Sequence, residues 1–172
     1  MILLFTTTDL FDDTAWSDPV RVENPANDID PDIFWDDDGK VYMAVAGGIW
    51  ISEIDVKTGA AMERFRVWNG TGDRNLEGPH LYRKDNWYYL LIGEGGTETN
   101  HSVTMARSRN IRGPYEGYGN NPVLTAKNTA EYFQTVGHAD LFQEADNNWW
   151  GVALSILHGR CILWVEKQFS SQ

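Results

Sequence analysis

Three similar blocks of sequence recur along this chain of 172 residues, at residues 30–45, 78–92 and 137–154. Each block is a short apolar run, a turn made of Asp, Asn or Gly, and a second run rich in aromatic residues. This is the pattern of two antiparallel strands joined by a tight turn. Phe34, Tyr82 and Phe142 occupy equivalent positions, so the blocks recur every 48 to 60 residues.

Repeats of this length predict a β-propeller. Further strand-like runs follow each block, and no segment shows a sustained helical period. Four strands every 40 to 60 residues are typical of one propeller blade. A β-sandwich would also be all-β, but it does not predict three similar blocks. We therefore predict an all-β propeller of four-stranded blades.

The number of strands predicts that this propeller is incomplete. Residues 2–7 and 20–23 read as the last two strands of one blade, and the strand at 161–165 is the third of another. The total is about 13 strands, whereas even a four-bladed ring needs about 16. We expect a single domain over residues 1–172 with about three blades' worth of strands, beginning and ending inside blades.

Composition restricts the partners. The formal net charge of −11 argues against nucleic acid, whose phosphates would be repelled. The eight Trp and seven Tyr suit the apolar faces of sugars. No apolar run approaches the roughly 20 residues of a membrane span, and residues 1–5 are too short for a signal peptide. Cys161 is the only cysteine, which leaves the compartment open.

Three titratable residues precede the innermost strands at almost the same phase of the repeat. Asp30 lies four residues before Phe34, and His138 lies four before Phe142. Glu77 lies five before Tyr82 and is therefore one residue out of phase. Because the first strands of propeller blades converge on one channel, we predict that Asp30, Glu77 and His138 face one cavity.

Several motifs resemble glycoside hydrolase family 43. They are DPDIFWDDDG at 30–39, EGPHLY at 77–82, GHADL at 137–141, GPYE at 113–116, NPVL at 121–124 and Gly159-Arg160. The match keeps the order of the motifs over nearly the whole chain. The resemblance implies a five-bladed propeller, here cut at both ends, and the activity of inverting β-xylosidases, α-L-arabinofuranosidases and arabinanases.

By this resemblance Glu77 is the general acid, which protonates the glycosidic oxygen, and Asp30 modulates the pKa of that acid and holds it in place. Partial burial between Leu76 and Gly78 would help to keep Glu77 protonated. The competing interpretations are an ordinary solvated Glu77 and a turn residue at Asp30, before a proline.

The resemblance also implies binding residues. His138 would contact a central calcium ion or its waters, or else be a hydrogen-bonded structural histidine, since calcium prefers oxygen. Arg160 would bind sugar hydroxyls, unless it forms a surface ion pair. Trp35, or the pair Trp149-Trp150, could form a sugar platform. Asp32 and residues 36–38 read as surface and hairpin-turn positions. No cofactor is expected apart from this calcium.

No residue of this sequence matches the catalytic base that the resemblance leads us to expect. An inverting glycosidase needs a second carboxylate, roughly 6.5–9.5 Å from the acid, to activate water. The N-terminal motif that carries it in the family has no match here, and the acidic residues at 9, 12, 13 and 18 do not fit it.

The sequence leaves two functions open. The first is an inverting hydrolase of β-xylosides or α-L-arabinofuranosides from plant cell-wall polysaccharide. The second is a carbohydrate-binding propeller without turnover. The expected partners are a glycoside or oligosaccharide and a second copy or a complementary chain, with neither nucleic acid nor membrane among them.

Overall fold

The computed structural model describes residues 1–23, 28–98 and 100–157 in full, and residues 160–169 as the path of one strand. This part of the chain contains strands and no helix, so it has no helix long and apolar enough to cross a membrane. The fourteen strands are β1 (Ile2–Leu4), β2 (Val20–Val22), β3 (Asp32–Trp35), β4 (Val41–Val45), β5 (Trp50–Glu53), β6 (Phe65–Arg66), β7 (Glu77–Lys84), β8 (Trp87–Glu94), β9 (Ser102–Ser108), β10 (Glu116–Gly117), β11 (Leu124–Thr125), β12 (Phe133–Gln143), β13 (Trp149–Leu157) and β14 (Arg160–Phe169).

The strands form four antiparallel sheets that follow the repeat. We call β3-β4-β5-β6 the first blade, β7-β8-β9 with β10 and β11 the second blade, and β12-β13-β14 the third blade. The strands β1 and β2 form a separate leading pair. The strand β7 contacts both β3 and β12, so the first strands of the three blades are neighbours. The predicted all-β fold, an incomplete propeller, is confirmed.

Apolar clusters between neighbouring sheets hold the blades together. Phe34, Ile51 and Leu90 belong to the cluster between the first and second blades. A second cluster joins the second and third blades, and a third joins the leading pair to the first blade. Blades are therefore buried on both faces, which explains why all five residues of β4 are buried. Each fully buried large aliphatic side chain contributes about 1.5–3 kcal/mol.

The outer edge of the second blade is made of two short strands rather than one continuous strand. Two short strands, β10 and β11, pair with opposite ends of β9. Between them, Asn121 accepts a hydrogen bond from the N–H of Met105 through Oδ1 and donates one to its carbonyl through Nδ2, both 2.9 Å long. Between the two short strands, the Asn121 side chain thus pairs with the backbone of β9.

Candidate active site

A left-handed backbone residue stands at the same position of the inner strand in each blade. The φ angles are 51° at Asp30, 49° at Gly78 and 48° at His138. Such angles are uncommon for residues other than glycine, so their recurrence is a structural feature of the repeat. We call Asp30, Gly78 and His138 the first row.

The first row brings the predicted site residues together. Asp30 Oδ2 accepts a hydrogen bond of 3.1 Å from the N–H of Gly78. On the other side, a Cβ added to Gly78 would lie 2.7 Å from Nε2 of His138, so the imidazole packs directly on this glycine. Glu77 is the residue before Gly78. Asp30 and His138 therefore both contact Gly78, the residue that follows Glu77, where three inner strands converge.

Glu77 begins β7 and is half-buried. Its cross-strand partner is Gly93, and the register of β7 against β8 shifts between Glu77 and His80. A Cβ on Gly93 would lie 3.3 Å from the backbone N of His138, so the absence of a side chain there lets β12 approach. Within the residues that the structure describes, no hydrogen bond or ion pair engages the Glu77 carboxyl. This group is available to a ligand.

Glu94, at the end of β8, anchors the loop that leads into Glu77. Its carboxyl is fully buried and accepts hydrogen bonds from the N–H of Thr71 at 2.9 Å, from its hydroxyl at 2.9 Å and from Thr104 Oγ1 at 2.6 Å. The loop that contains Thr71 ends one residue before Glu77. The sequence offered one signal for Glu94, an acidic residue at the end of an apolar strand.

Two positions further along the same strands, a second set of equivalent residues forms a charged cluster. We call Asp32, His80 and Asp140 the second row. His80 Nδ1 lies 3.3 Å from Asp32 Oδ1 and 3.6 Å from Asp140 Oδ1. Burial alone would lower the pKa of His80, but the hydrogen bond to Asp32 and the charges of Asp140, Asp32 and Asp30 outweigh it and raise that pKa.

The second row also satisfies the backbone of neighbouring blades. Asp32 Oδ2 accepts a hydrogen bond of 3.0 Å from the N–H of Leu81, in the next blade. The equivalent N–H, that of Leu141, donates to the Tyr82 hydroxyl at 2.8 Å. Inner strands do not pair with one another, and buried N–H groups need partners. Side chains of one blade therefore accept hydrogen bonds from the backbone N–H groups that are left unpaired in the next blade.

Family comparisons agree with this geometry. The chain matches the profile of Glycosyl hydrolases family 43 over residues 5–162. The chain belongs to glycoside hydrolase family 43.

Its relatives in family 43 include glycosidases of two named kinds. A non-reducing end α-L-arabinofuranosidase of Bacteroides ovatus is 41% identical over 146 residues, which are 82% of this chain and 27% of that protein. A β-xylosidase of Bacillus subtilis is 37% identical over 160 residues, 86% of this chain and 29% of that protein. The chain thus spans less than a third of these relatives.

Solved structures give the same relationship. The crystal structure of a xylan β-1,4-xylosidase from Bacillus halodurans superposes with a TM-score of 0.87 at 30% identity. The superposition covers 96% of this chain and 35% of that one. The arrangement of sheets described above is therefore a part of the family 43 fold.

The interpretation of two aspartates as surface residues was wrong. Asp32 lies between blades, as described. Asp36 begins the predicted hairpin turn, but its carboxyl is buried, accepts a hydrogen bond of 2.6 Å from the Tyr88 hydroxyl and pairs with Arg83. Burial alone would raise the pKa of Asp36; the bonds from Tyr88, from the N–H of Asp37 and from Arg83 outweigh it and lower that pKa. Sequence reasoning missed these partners because they belong to the next blade.

The predicted sugar-binding residues are not all brought to the first row. Trp35 is 63% exposed at the far end of β3, five residues beyond Asp30, which corresponds to roughly 16 Å of strand. Trp149 and Trp150 are half-buried, and Trp149 packs edge-on against Tyr82 at 6.1 Å between ring centroids. Arg160 begins β14, and its side chain lies outside the described residues. Their roles in sugar binding stay predictions.

A calcium ion beside His138 would need a group of oxygen donors. In the ranges described in full, no three His, Cys, Asp or Glu side chains are grouped so that they could hold a metal ion. The ring of His138 supplies nitrogen, whereas calcium prefers oxygen. These residues do not by themselves fit the ion, and no step of the chemistry is assigned to it.

One large cavity is separate from the first row. It measures about 910 Å³, lies between the second and third blades, and is lined mainly by apolar residues such as Leu91, Met105 and Leu141. Neither Asp30, Glu77 nor His138 lines it. Cavity size alone would therefore place the active site away from the Asp30 and Glu77 carboxyl groups. The first row is the better candidate active site, because Asp30, His138 and the segment with Glu77 converge there.

Proposed function

We propose that this chain carries the acid side of an inverting glycosidase site for β-xylosides or α-L-arabinofuranosides. The observation that carries the proposal is the half-buried Glu77 at the start of β7, whose carboxyl has no partner among the described residues. It directly precedes Gly78, the residue that both Asp30 and His138 contact. The substrate classes come from the names of the relatives, a β-xylosidase and an α-L-arabinofuranosidase.

The chemistry requires one proton transfer from Glu77. Its protonated carboxyl gives a proton to the glycosidic oxygen while the bond from that oxygen to the anomeric carbon breaks. Asp30 acts as a positioning residue, because its hydrogen bond fixes the N–H of Gly78 next to the acid. The water that attacks the opposite face of the sugar must lose its proton to a second carboxylate, a role that is assigned to no described residue of this chain.

A second candidate function is sugar binding without turnover. It is favoured by the placement of the N-terminal carboxylates, which are engaged in their own exposed loop. Asp9 accepts a hydrogen bond of 3.0 Å from the N–H of Phe11, and Asp12 accepts one of 2.8 Å from that of Thr14. Neither is assigned the activation of water opposite Glu77.

The test compares Glu77→Gln with the unaltered chain on xylobiose and on nitrophenyl β-xyloside and α-L-arabinofuranoside. The amide cannot donate the proton, so turnover of xylobiose should fall by about 10²–10⁴-fold. The nitrophenyl glycosides, whose leaving groups need less protonation, should lose less. Glu98→Gln is the matched control, since Glu98 is exposed and its ion pair is with the equally exposed Arg74.

Each result decides between the candidates. Anomeric inversion seen by NMR, together with a leaving-group-dependent loss in Glu77→Gln, supports the hydrolase. Equal losses on all three substrates would contradict the acid role. Binding of xylobiose by calorimetry with no turnover would favour the second candidate.

Self-association is a further part of the proposal. Apolar side chains are exposed on the leading pair and the loop that joins its strands: Leu3, Phe5, Leu10, Phe11 and Trp16. Exposed apolar side chains concentrated in one segment of the chain favour a contact surface. Light scattering should show a dimer or larger species, and a monodisperse monomer would contradict the proposal.

A further inference from the structure

His101 lies directly behind the first row, just before β9, and only 1% of it is exposed. Its Nδ1 is 3.1 Å from the carbonyl oxygen of Thr135. A carbonyl only accepts hydrogen bonds, so Nδ1 carries the hydrogen. Burial is the main cause that lowers the pKa of His101, and the neighbouring His138 adds to it. The ring is therefore neutral, with a bare Nε2.

The ring supports the most irregular segment of an inner strand. The register of β12 against β13 shifts twice, between Gln134 and Gly137 and between Gly137 and Asp140. Thr135 has a φ angle of 52°, which is a strained conformation for a β-branched residue. His101 touches this segment twice, because it donates to Thr135 and its ring fills the space that a Cβ on Gly137 would occupy.

The same segment presents His138 to the acid. The rings of His101 and His138 are 6.5 Å apart between centroids and inclined by 64°. His138 in turn rests on Gly78, the residue after Glu77. A Cβ on Gly93, the cross-strand partner of Glu77, would lie 3.5 Å from Nε2 of His101. His101 thus adjoins both strands that flank the acid.

Apolar packing alone does not account for a histidine here. Its Nε2 has no hydrogen-bond partner in the described part of the chain. A buried polar atom without a partner costs about 1–3 kcal/mol. A phenyl ring would fill the space without that cost. The contribution that a phenyl ring could not make is the N–H donated to Thr135.

We infer that His101 is a positioning residue of this site. Its Nδ1–H holds Thr135–His138 in the irregular conformation that seats the His138 imidazole on Gly78, beside Glu77. The inference rests on the proposed role of Glu77 as the acid. It assigns His101 no contact with the sugar and no proton transfer to it.

The first measurement is of the tautomer. A long-range ¹H–¹⁵N spectrum of the histidine rings at pH 7 should show His101 as the neutral form protonated at Nδ1. Protonation at Nε2, or an imidazolium ring, would overturn the inference without any assay of activity.

The second measurement compares two substitutions. His101→Phe keeps a ring but removes the donor, whereas His101→Asn places an amide N–H near the position of Nδ1. In His101→Phe the His138 ring signals and the Gly78 amide signal should move, and kcat should fall by about 10- to 100-fold with little change in KM. His101→Asn should restore most of both. The control Tyr115→Phe removes another buried polar atom without a partner, in the core between the first and second blades, and should change neither.

The outcomes separate this inference from the proposed function. Normal His138 and Gly78 signals in His101→Phe would overturn it, as would a folded His101→Asn that is no better than His101→Phe. If His101→Phe does not fold, the tautomer and His101→Asn still decide. If the chain shows no turnover even before substitution, the hydrolase proposal fails, while the spectra continue to test His101.

Discussion

The first and second rows occupy the same three strands, two residues apart, yet they do different things. In the first row the middle position is Gly78, and the flanking Asp30 and His138 reach its backbone rather than a side chain. In the second row the middle position is His80, whose ring lies between the carboxyl groups of Asp32 and Asp140.

The difference shows how one repeat supplies both a candidate site, at the first row, and a stabilising charged cluster, at the second row. A glycine at the centre of the first row leaves the adjacent Glu77 carboxyl without a partner among the described residues. A histidine at the centre of the second row instead forms ion pairs with the carboxyl groups of Asp32 and Asp140. We therefore expect changes in the first row to affect chemistry more than stability, and changes in the second row to do the reverse.

Gly78→Ala should have the largest effect. The new Cβ would lie 2.7 Å from Nε2 of His138, so the imidazole must leave its place beside Glu77. We expect a loss of turnover, or of sugar affinity, of about 10²-fold. The left-handed backbone adds a stability cost of about 1–2 kcal/mol. Turnover assays and urea denaturation measure the two effects separately.

Gly39→Ala is the control for that substitution. Gly39 also has a positive φ angle, 84°, but a Cβ there would meet nothing within 4 Å. It should share the backbone cost and leave the site unchanged. Full turnover in Gly78→Ala would show that the His138 contact is not needed.

His80→Leu should mainly reduce stability. It leaves the Asp32 and Asp140 carboxylates facing each other without a cation. Removing one partner of a buried ion pair costs about 3–5 kcal/mol, and the partial exposure of this cluster reduces that to about 2 kcal/mol. Lys84→Ala, which breaks an exposed pair at the other end of β7, should show no measurable change in urea denaturation. A large loss of turnover per folded molecule in His80→Leu would remove the distinction between the rows.

The pH dependence of stability should be smaller and tied to His80. Because the folded state raises the pKa of His80, its contribution is full below the ordinary value of about 6.5 and is lost as pH rises through the folded-state pKa. The pKa of His101 is lowered in the folded state, so this residue destabilises the fold only below about pH 6.5, where it would have to take up a proton. The unaltered chain and His80→Leu should therefore be compared above that pH. Urea midpoints should fall with rising pH in the unaltered chain, and this slope should be absent in His80→Leu.

Asp140→Asn should have the smallest effect. The Asp140 side chain is 55% exposed, and its pair with His80 is the longer of the two, at 3.6 Å. Exposed pairs contribute at most about 1 kcal/mol. The asparagine can still accept the hydrogen bond of Tyr82. The loss in free energy of unfolding should shrink further in 0.5 M salt. A salt-independent loss of several kcal/mol would mean that Asp140 stabilises the second row as strongly as Asp32 does.

The approach of Asp30 and His138 to the segment that contains Glu77 could be predicted, because a repeat transmits the same phase to each blade. The prediction that His138 precedes its inner strand was wrong, since His138 lies in the middle of β12. The remainder of the site could not be predicted. His101 is 34 residues from Thr135, and Glu94 is 23 residues from Thr71. Contacts of this kind leave no local pattern, since each depends on how one sheet packs on the next.

The sequence by itself determined the repeat, the all-β fold and the membership of family 43, since these follow from the order of short motifs and the alternation within strands. Only the tertiary structure decided what each carboxylate does. Asp30 and Asp32 lie two residues apart in one motif, and their partners, Gly78 on one hand and Leu81 with His80 on the other, belong to the neighbouring blade. The distance and rotation between blades are set by the apolar clusters that join them, and no single repeat encodes that packing.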